Sequence, residues 1–382
     1  MTTPPFQTEK ADALMEAHGL DVLIANSPHN VRYLLGGHRS FFFQSMDALG
    51  HARYLPLVIY VAGTLDQAAY IGSAIEGFEK ALGAFWPIHT HTVTWGTRDA
   101  AEAAVKHLTD MGLTKARIGI EPPFLPRDAD QVLADGLPDA IFGDATPILE
   151  RLRAIKRPDE LAKLSAASDG VIDAMRATID WATPGVTKHQ IIHRLKAEEH
   201  ARDLDFDYCL VTFGQNRNRA PSDQQWQPGE AMSIDSGGNI DGYIGDLCRM
   251  AVMGPPDAEL EDLLAEVDAT QQATFAFLKA GATGQTALDH GNSVLKSGPN
   301  AKHTDLVIHG MGLVSHEVPF IMSNRIYDGV DAEVPLEAGM VVSVETTMGH
   351  PDRGLIKLED TIAITEQGFE MYGDAARGWN IA

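Results

Sequence analysis

Cysteine is scarce in this chain of 382 residues: Cys209 and Cys248 are the only two. A disulfide framework or a thiolate zinc finger needs more, so both are excluded, and the usage fits a reducing compartment such as the cytoplasm. Basic residues are also few, 30 against 53 acidic ones, for a formal net charge of −23. Gripping a phosphate backbone takes a basic face, so nucleic acid is not an expected partner. The acidity is read as serving solubility. No apolar run approaches the length of a membrane span, and Met1–Lys10 lacks the apolar stretch of a signal peptide, so no membrane partner is expected. What remains is an ordinary globular composition, 44% hydrophobic and 22% charged, in a chain long enough for two cores.

Helix and strand signals alternate through the first part. Glu9–His18 reads as a helix stopped at Gly19, and strands are expected at Asp21–Asn26, Arg53–Ala62, Ala68–Ile71 and Arg117–Glu121. The spacing predicts an α/β domain over residues 1–150. Pro158, followed by Asp159 and Glu160, opens a helix whose apolar stripe is Leu161, Leu164, Val171, Ile172, Met175 and Ile179. Thr187 with Gln190 predicts a capping box for the next helix, and a third is expected over Asp257–Lys279, stopping at Gly281. The boundary falls near Ile148–Pro158, leaving 151–382 as the second domain.

Five residues of that second domain carry the chemistry: Asp235, Asp246, His309, Glu345 and Glu359. Four carboxylates and an imidazole beside short apolar strands make a ligand set for paired hard metal ions. Carboxylate oxygens suit manganese, magnesium or iron, and the imidazole admits zinc or cobalt. Residues two apart on a strand share a face. Ser233 therefore accompanies Asp235, Ser343 accompanies Glu345 and Lys357 accompanies Glu359, while Ile234, Val344 and Leu358 face the other way. An internal echo adds to this. Gly229, Ser233 and Asp235 recur at the same offsets as Gly339, Ser343 and Glu345, and each set is followed by a turn and a second acid.

Longer motifs are Asp235-Ser-Gly237, Gly242-Tyr243-x-x-Asp246-x-x-Arg249, His309-Gly-Met-Gly-Leu-x-x-His316-Glu-x-Pro319, Gly339-Met-x-x-x-x-Glu345 and Glu359-Asp360-Thr361. In order and spacing they resemble the pita-bread metallopeptidases: aminopeptidase P, prolidase, methionine aminopeptidase and creatinase. Asn30-x-x-Tyr33-Leu34-x-Gly36 and Arg153-x-x-Lys156-x-x-x-Glu160 resemble the amino-terminal domain and junction of the aminopeptidase P, prolidase and creatinase branch. The resemblance implies an α/β creatinase-like N-terminal domain followed by an α+β pita-bread catalytic domain, assembled as a homodimer. It implies two divalent ions, manganese foremost, with iron, zinc and cobalt as alternatives. Asp246 and Glu359 would bridge them; Asp235 would complete one shell, and His309 with Glu345 the other. Glu345 would also hold a bridging hydroxide and shuttle its proton, and His316 would hydrogen-bond the substrate carbonyl or its oxyanion.

Two family histidines are missing. Asn218 stands where one is usual before the first aspartate, and Asp305 stands four residues before His309. Arg217 and Arg219 flank the first gap, and one of them is a candidate clamp for an anionic group. The segment His38–Phe43 reads equally as a loop burying aromatics in its own domain or as one reaching a catalytic site. The activity implied is hydrolysis of an amide bond in a small peptide, of the Xaa-Pro aminopeptidase or prolidase type. The alternative is a small non-peptide substrate, as in ectoine hydrolase, creatinase or a dimethylsulfoniopropionate lyase. A metal-free binding protein is the third reading.

Overall fold

The computed structural model of the protein describes residues 3–40, 42, 50–322 and 329–382. The chain divides into two compact units, Met1–Arg153 and Ala154–Ala382. The first runs α1 (Thr8–His18), β1 (Val22–Ala25), α2 (Pro28–Leu34), β2 (Leu57–Val61), β3 (Ala69–Ser73), α3 (Gly77–Ala81), β4 (His89–Thr94), α4 (Thr97–Asp110), β5 (Arg117–Ile120), α5 (Arg127–Gly136), β6 (Ile141–Asp144) and α6 (Thr146–Ala154), which reaches the division. Its six strands lie in the order β4-β3-β2-β1-β5-β6. Val22, Ile24, Leu57 and Ile59 pack against Ala100, Ala104 and Leu108 of α4 and Leu133 of α5. Each such large aliphatic side chain, fully buried, contributes about 1.5–3 kcal/mol.

The second unit begins with α7 (Pro158–Trp181) and α8 (Lys188–His200), then β7 (Asp205–Phe213), β8 (Ala231–Ile240) and β9 (Tyr243–Val252). It continues with α9 (Ala258–Phe275), α10 (Gly284–Ser297), β10 (Thr304–Gly310), β11 (Val341–His350), β12 (Gly354–Ile364), β13 (Phe369–Tyr372) and β14 (Asn380–Ile381). The main sheet runs β10-β11-β12-β9-β8-β7, with β13 added to β12 and β14 to β9. Helix α7 packs across β8 and β9, and α9 across β11 and β12, so each hairpin of the internal echo has its own helix. Ile234, Val344 and Leu358 are fully buried on the helical side of the sheet, each in a separate apolar cluster.

Local chemistry explains the boundaries. Gly19 ends α1 in the left-handed conformation, φ 67°. The Glu160 side chain accepts from the Arg157 amide to open α7, and Thr187 with Gln190 forms the predicted box at α8. Two expectations need correction. The strand predicted over Arg53–Ala62 shrinks to Leu57–Val61, because Pro56 has no N–H for the ladder. The helix predicted over Asp257–Lys279 stops at Phe275: the amides of Phe277 and Leu278 reach only three residues back, and that of Ala280 bonds to Thr365. In the segment His38–Phe43, Phe42 is 40% exposed rather than packed away, and Phe41 and Phe43 lie outside the described residues.

Candidate metal centre

Five neighbouring strands each bring one residue to a single cavity: β10 His309, β11 Glu345, β12 Glu359, β9 Asp246 and β8 Asp235. The register sets Glu345 directly opposite Glu359, and Cys248 between Glu359 and Asp235. Asp246 instead pairs with Gly237, two places from Asp235, so the two hairpins of the echo are not superimposable copies. The cavity, about 270 Å³, is completed by Tyr208, Leu210, Arg219, Ser315, His316 and Lys357.

The acids crowd together in a buried setting. Ligand atoms of Asp246, His309 and Glu359 all lie within 4.8 Å of one another. His309 Nε2 is 3.6 Å from carboxylate oxygens of both Glu345 and Glu359. Lys357 Nζ contacts three carboxylates, Asp235 at 2.6 Å and Glu345 and Glu359 at 2.7 Å. Asp235 is also paired with Arg219, and Asp246 accepts from the Tyr208 hydroxyl. Ser343 Oγ donates to Glu359 at 2.9 Å.

Burial raises the pKa of Asp246, helped by the charges of Glu359 and Asp235 and opposed by His309. Burial also raises Asp235, with Lys357 working against it. For Glu359 burial pushes upward, but Lys357 and the hydrogen bond from His309 outweigh it and hold the acid below the usual range. Burial would lower His309, yet Glu359, Glu345 and Asp246 lift it to about 9. Four carboxylates and one imidazole offer the oxygen and nitrogen donors a divalent cation takes, and the cation's charge would favour the ionised forms of Asp235 and Asp246, which burial disfavours.

The turn after His309 is braced from below. Gly310 is required there because a Cβ would collide with the Glu317 carbonyl oxygen. Glu317 forms a fully buried 2.8 Å ion pair with Lys156, whose place in the motif Arg153-x-x-Lys156 is thereby explained. His316, held on this turn, lies with its ring 3.9 Å from that of His309 and 23° from parallel. Behind the acids Arg249 is fully buried, donating to Asp360 Oδ1 at 2.8 Å and to the Glu359 carbonyl at 2.9 Å.

All five ligand candidates and His316 therefore line the cavity, and the two arginines separate. Arg219 faces into it, whereas Arg217 is directed to the Gly349 carbonyl, 3.2 Å away. Asn218 gives its carbonyl to Lys188, and Asp305 is exposed on β10. Two participants were not assigned from sequence. Tyr208 has no motif around it. Strand alternation sets Lys357 on the face of Glu359, but its reach to Asp235 follows from the sheet order.

The donor set fits a divalent ion best at Asp246, His309 and Glu359. A second ion at Asp235 would take the place of the Lys357 ammonium on that carboxylate. Residues 7–155 match the creatinase/prolidase N-terminal domain, and residues 162–366 match metallopeptidase family M24. Among curated relatives, an uncharacterized peptidase of Bacillus subtilis is 27% identical over 381 residues, 95% of this chain and 96% of that one. An Xaa-Pro dipeptidase of Lactobacillus helveticus is 28% identical over 251 residues, 63% of this chain and 66% of the relative. Two solved structures share the fold over 98% of this chain and 99% of their own. The Xaa-Pro dipeptidase of Bacillus anthracis has a TM-score of 0.82 at 20% identity, and the X-Pro aminopeptidase of Thermotoga maritima 0.81 at 18%. A sheet that gathers four acids and a histidine under this match is a hydrolase's, and the chain belongs to the divalent-metal-dependent metallopeptidase family M24.

Proposed function

We propose that this chain is a dinuclear metal-dependent peptidase acting on Xaa-Pro peptides, with manganese as its metal, working as a homodimer in the cytoplasm. The observation that carries the reading is the convergence of Asp235, Asp246, His309, Glu345 and Glu359 on one cavity that also holds His316. Asp246 and Glu359 would be shared by two ions, Asp235 serving one and His309 with Glu345 the other. Bound divalent ions polarise a carbonyl and lower the pKa of water toward neutrality. Glu345, at the more open side of the acids, takes the proton of the attacking water and delivers it to the leaving nitrogen. His316 donates to the carbonyl oxygen as negative charge builds on it. Ser343 holds Glu359 at its station by donating to the carboxylate.

Arg219, in place on the cavity wall, favours a second reading in which the substrate is a small anionic amide. One panel tests both. Metal-free and manganese-loaded protein are assayed on Xaa-Pro dipeptides and tripeptides beside ectoine and related osmolytes. Metal-dependent turnover of the peptides alone supports the first reading. Turnover of the osmolytes alone replaces it with the second, and fewer than one bound ion per chain after loading overturns both.

A further inference from the structure

Three histidines meet in the N-terminal unit, and the catalytic chemistry uses none of them. His89 and His91 alternate along β4, the edge strand, and so share a face. Helix α4 packs on that strand and sets the buried His107 of its last turn against them. Ring centroids are 5.1 Å apart for His89 and His107, and 5.4 Å for His91 and His107.

The tautomers are fixed by backbone. His107 Nε2 lies 2.9 Å from the Gln67 carbonyl, and His89 Nε2 lies 3.0 Å from that of Asp66. A carbonyl only accepts, so both rings place their N–H on Nε2 and, when neutral, keep the lone pair on Nδ1. Backbone carbonyls orienting imidazoles in this way are the usual outer support of metal-ligating histidine. His91 Nε2 stands 3.4 Å from His107 Nδ1. Two nitrogens bound to one tetrahedral zinc at about 2.0–2.1 Å are roughly 3.3–3.4 Å apart, so this pair already has the required separation.

We propose that His91 and His107, with His89 as third ligand, bind a zinc ion or a similar borderline divalent metal in the N-terminal unit. His89 and His91 are parallel at 6.5 Å, so the three rings do not converge as they stand, and the partly exposed His89 would become the third ligand by exchanging its Asp66 carbonyl for the ion. Burial, with neighbouring positive charge, lowers the pKa of His91. Burial likewise lowers that of His107 despite its bond to Gln67. Both rings are therefore neutral and ready to coordinate at ordinary pH. Asp110, paired with Lys106 at 2.6 Å, acts electrostatically on both histidines, while Lys80 and Lys106 act on His91 with the opposite sign, so the ring nitrogens rather than the local charge make the site. An ion here ties the sheet's edge strand to α4.

Zinc binding to the full-length protein, measured by competition with a chromophoric chelator and elemental analysis, tests the site. The wild type should hold one more equivalent than His91→Gln, with a dissociation constant of about 1 µM or below. His89→Gln should weaken that equivalent about tenfold, and His303→Gln should match the wild type. Because the carboxylate centre is common to every variant, only the difference is read. Substituting the partly exposed His91 and His89 keeps the test valid even where a change at buried His107 prevents folding. Equal equivalents in wild type and His91→Gln, or a difference confined to binding weaker than about 100 µM, would overturn the proposal and leave an imidazole–imidazole hydrogen bond.

Discussion

The ammonium of Lys357 lies 2.6 Å from Asp235, a residue 122 positions earlier and two strands away across β9. It is the internal counter-ion of the carboxylate cluster, since the same nitrogen also holds Glu345 and Glu359. Lys357→Met should destabilise the metal-free protein by about 3–5 kcal/mol, because it strands buried carboxylates. Divalent ions stabilise the folded form by mass action, so manganese should close much of that gap. Melting temperatures of both proteins with and without manganese check this. Indistinguishable metal-free curves would remove Lys357 from its assigned role.

Asp246 is the acid with most at stake, being buried, close to both Glu359 and His309, and held by Tyr208. Asp246→Asn keeps the size and the hydrogen bond while removing the charge. Peptidase activity should fall at least about a thousandfold, a loss of roughly 4 kcal/mol in transition-state stabilisation. Bound metal, read by elemental analysis, should fall with it while the circular dichroism spectrum stays the same. A variant that retains activity would refute the proposed arrangement.

The acids and the histidine were legible in the sequence because their strands alternate cleanly, with Ile234, Val344 and Leu358 marking the helical face. The strand order was not, because pairing β12 with β9 depends on contacts more than a hundred residues apart. That is why Lys357 could be placed beside Glu359 but not against Asp235. Strand β4 was missed for a different reason: His89-Thr-His91-Thr-Val93-Thr94 has no apolar alternation, its inward face being imidazole. Pro56 and the early end of α9 show that a single missing donor, or a competing carbonyl at Thr365, moves a boundary that periodicity alone would extend.

Arg217 and Arg219 divide the work that sequence left undecided. Arg219→Met should raise KM about tenfold or more for substrates with a free carboxylate and change little for their amides, since of these two arginines it is Arg219 that lines the cavity. Arg217→Met should leave both KM values unchanged. Steady-state kinetics on paired acid and amide substrates decide; equal effects on the two substrates would exclude a clamp.

Glu199 is fully buried in α8, accepts from Ser236 Oγ at 3.2 Å, and has its pKa pushed by burial from 4.5 to about 8. An acid raised in this way is held protonated by the fold. The stability it contributes is complete below about pH 4.5 and is lost as pH rises through about 8. Glu199→Gln keeps a neutral side chain at every pH. The fall in melting temperature between pH 6 and pH 9 should therefore be smaller in the variant, by an amount on the order of a few kcal/mol in stability. Parallel pH profiles for the two proteins would show that Glu199 is not the group responsible.

Glu359 and Asp360 are adjacent acids on opposite faces of β12, one in the cavity and one against Arg249 and Arg377. A strand that slips by one residue exchanges its faces. Here the slip that puts Leu358 into the cavity would withdraw a carboxylate from the candidate metal centre. The opposite slip, which brings Asp360 there, would set Thr361 against Arg249 and leave its buried charge without that carboxylate. The buried Arg249–Asp360 pair thus acts as a proofreading contact for strand alignment: a chain misregistered in that second direction is penalised at the arginine, on the far side of the sheet from the acids whose placement it checks.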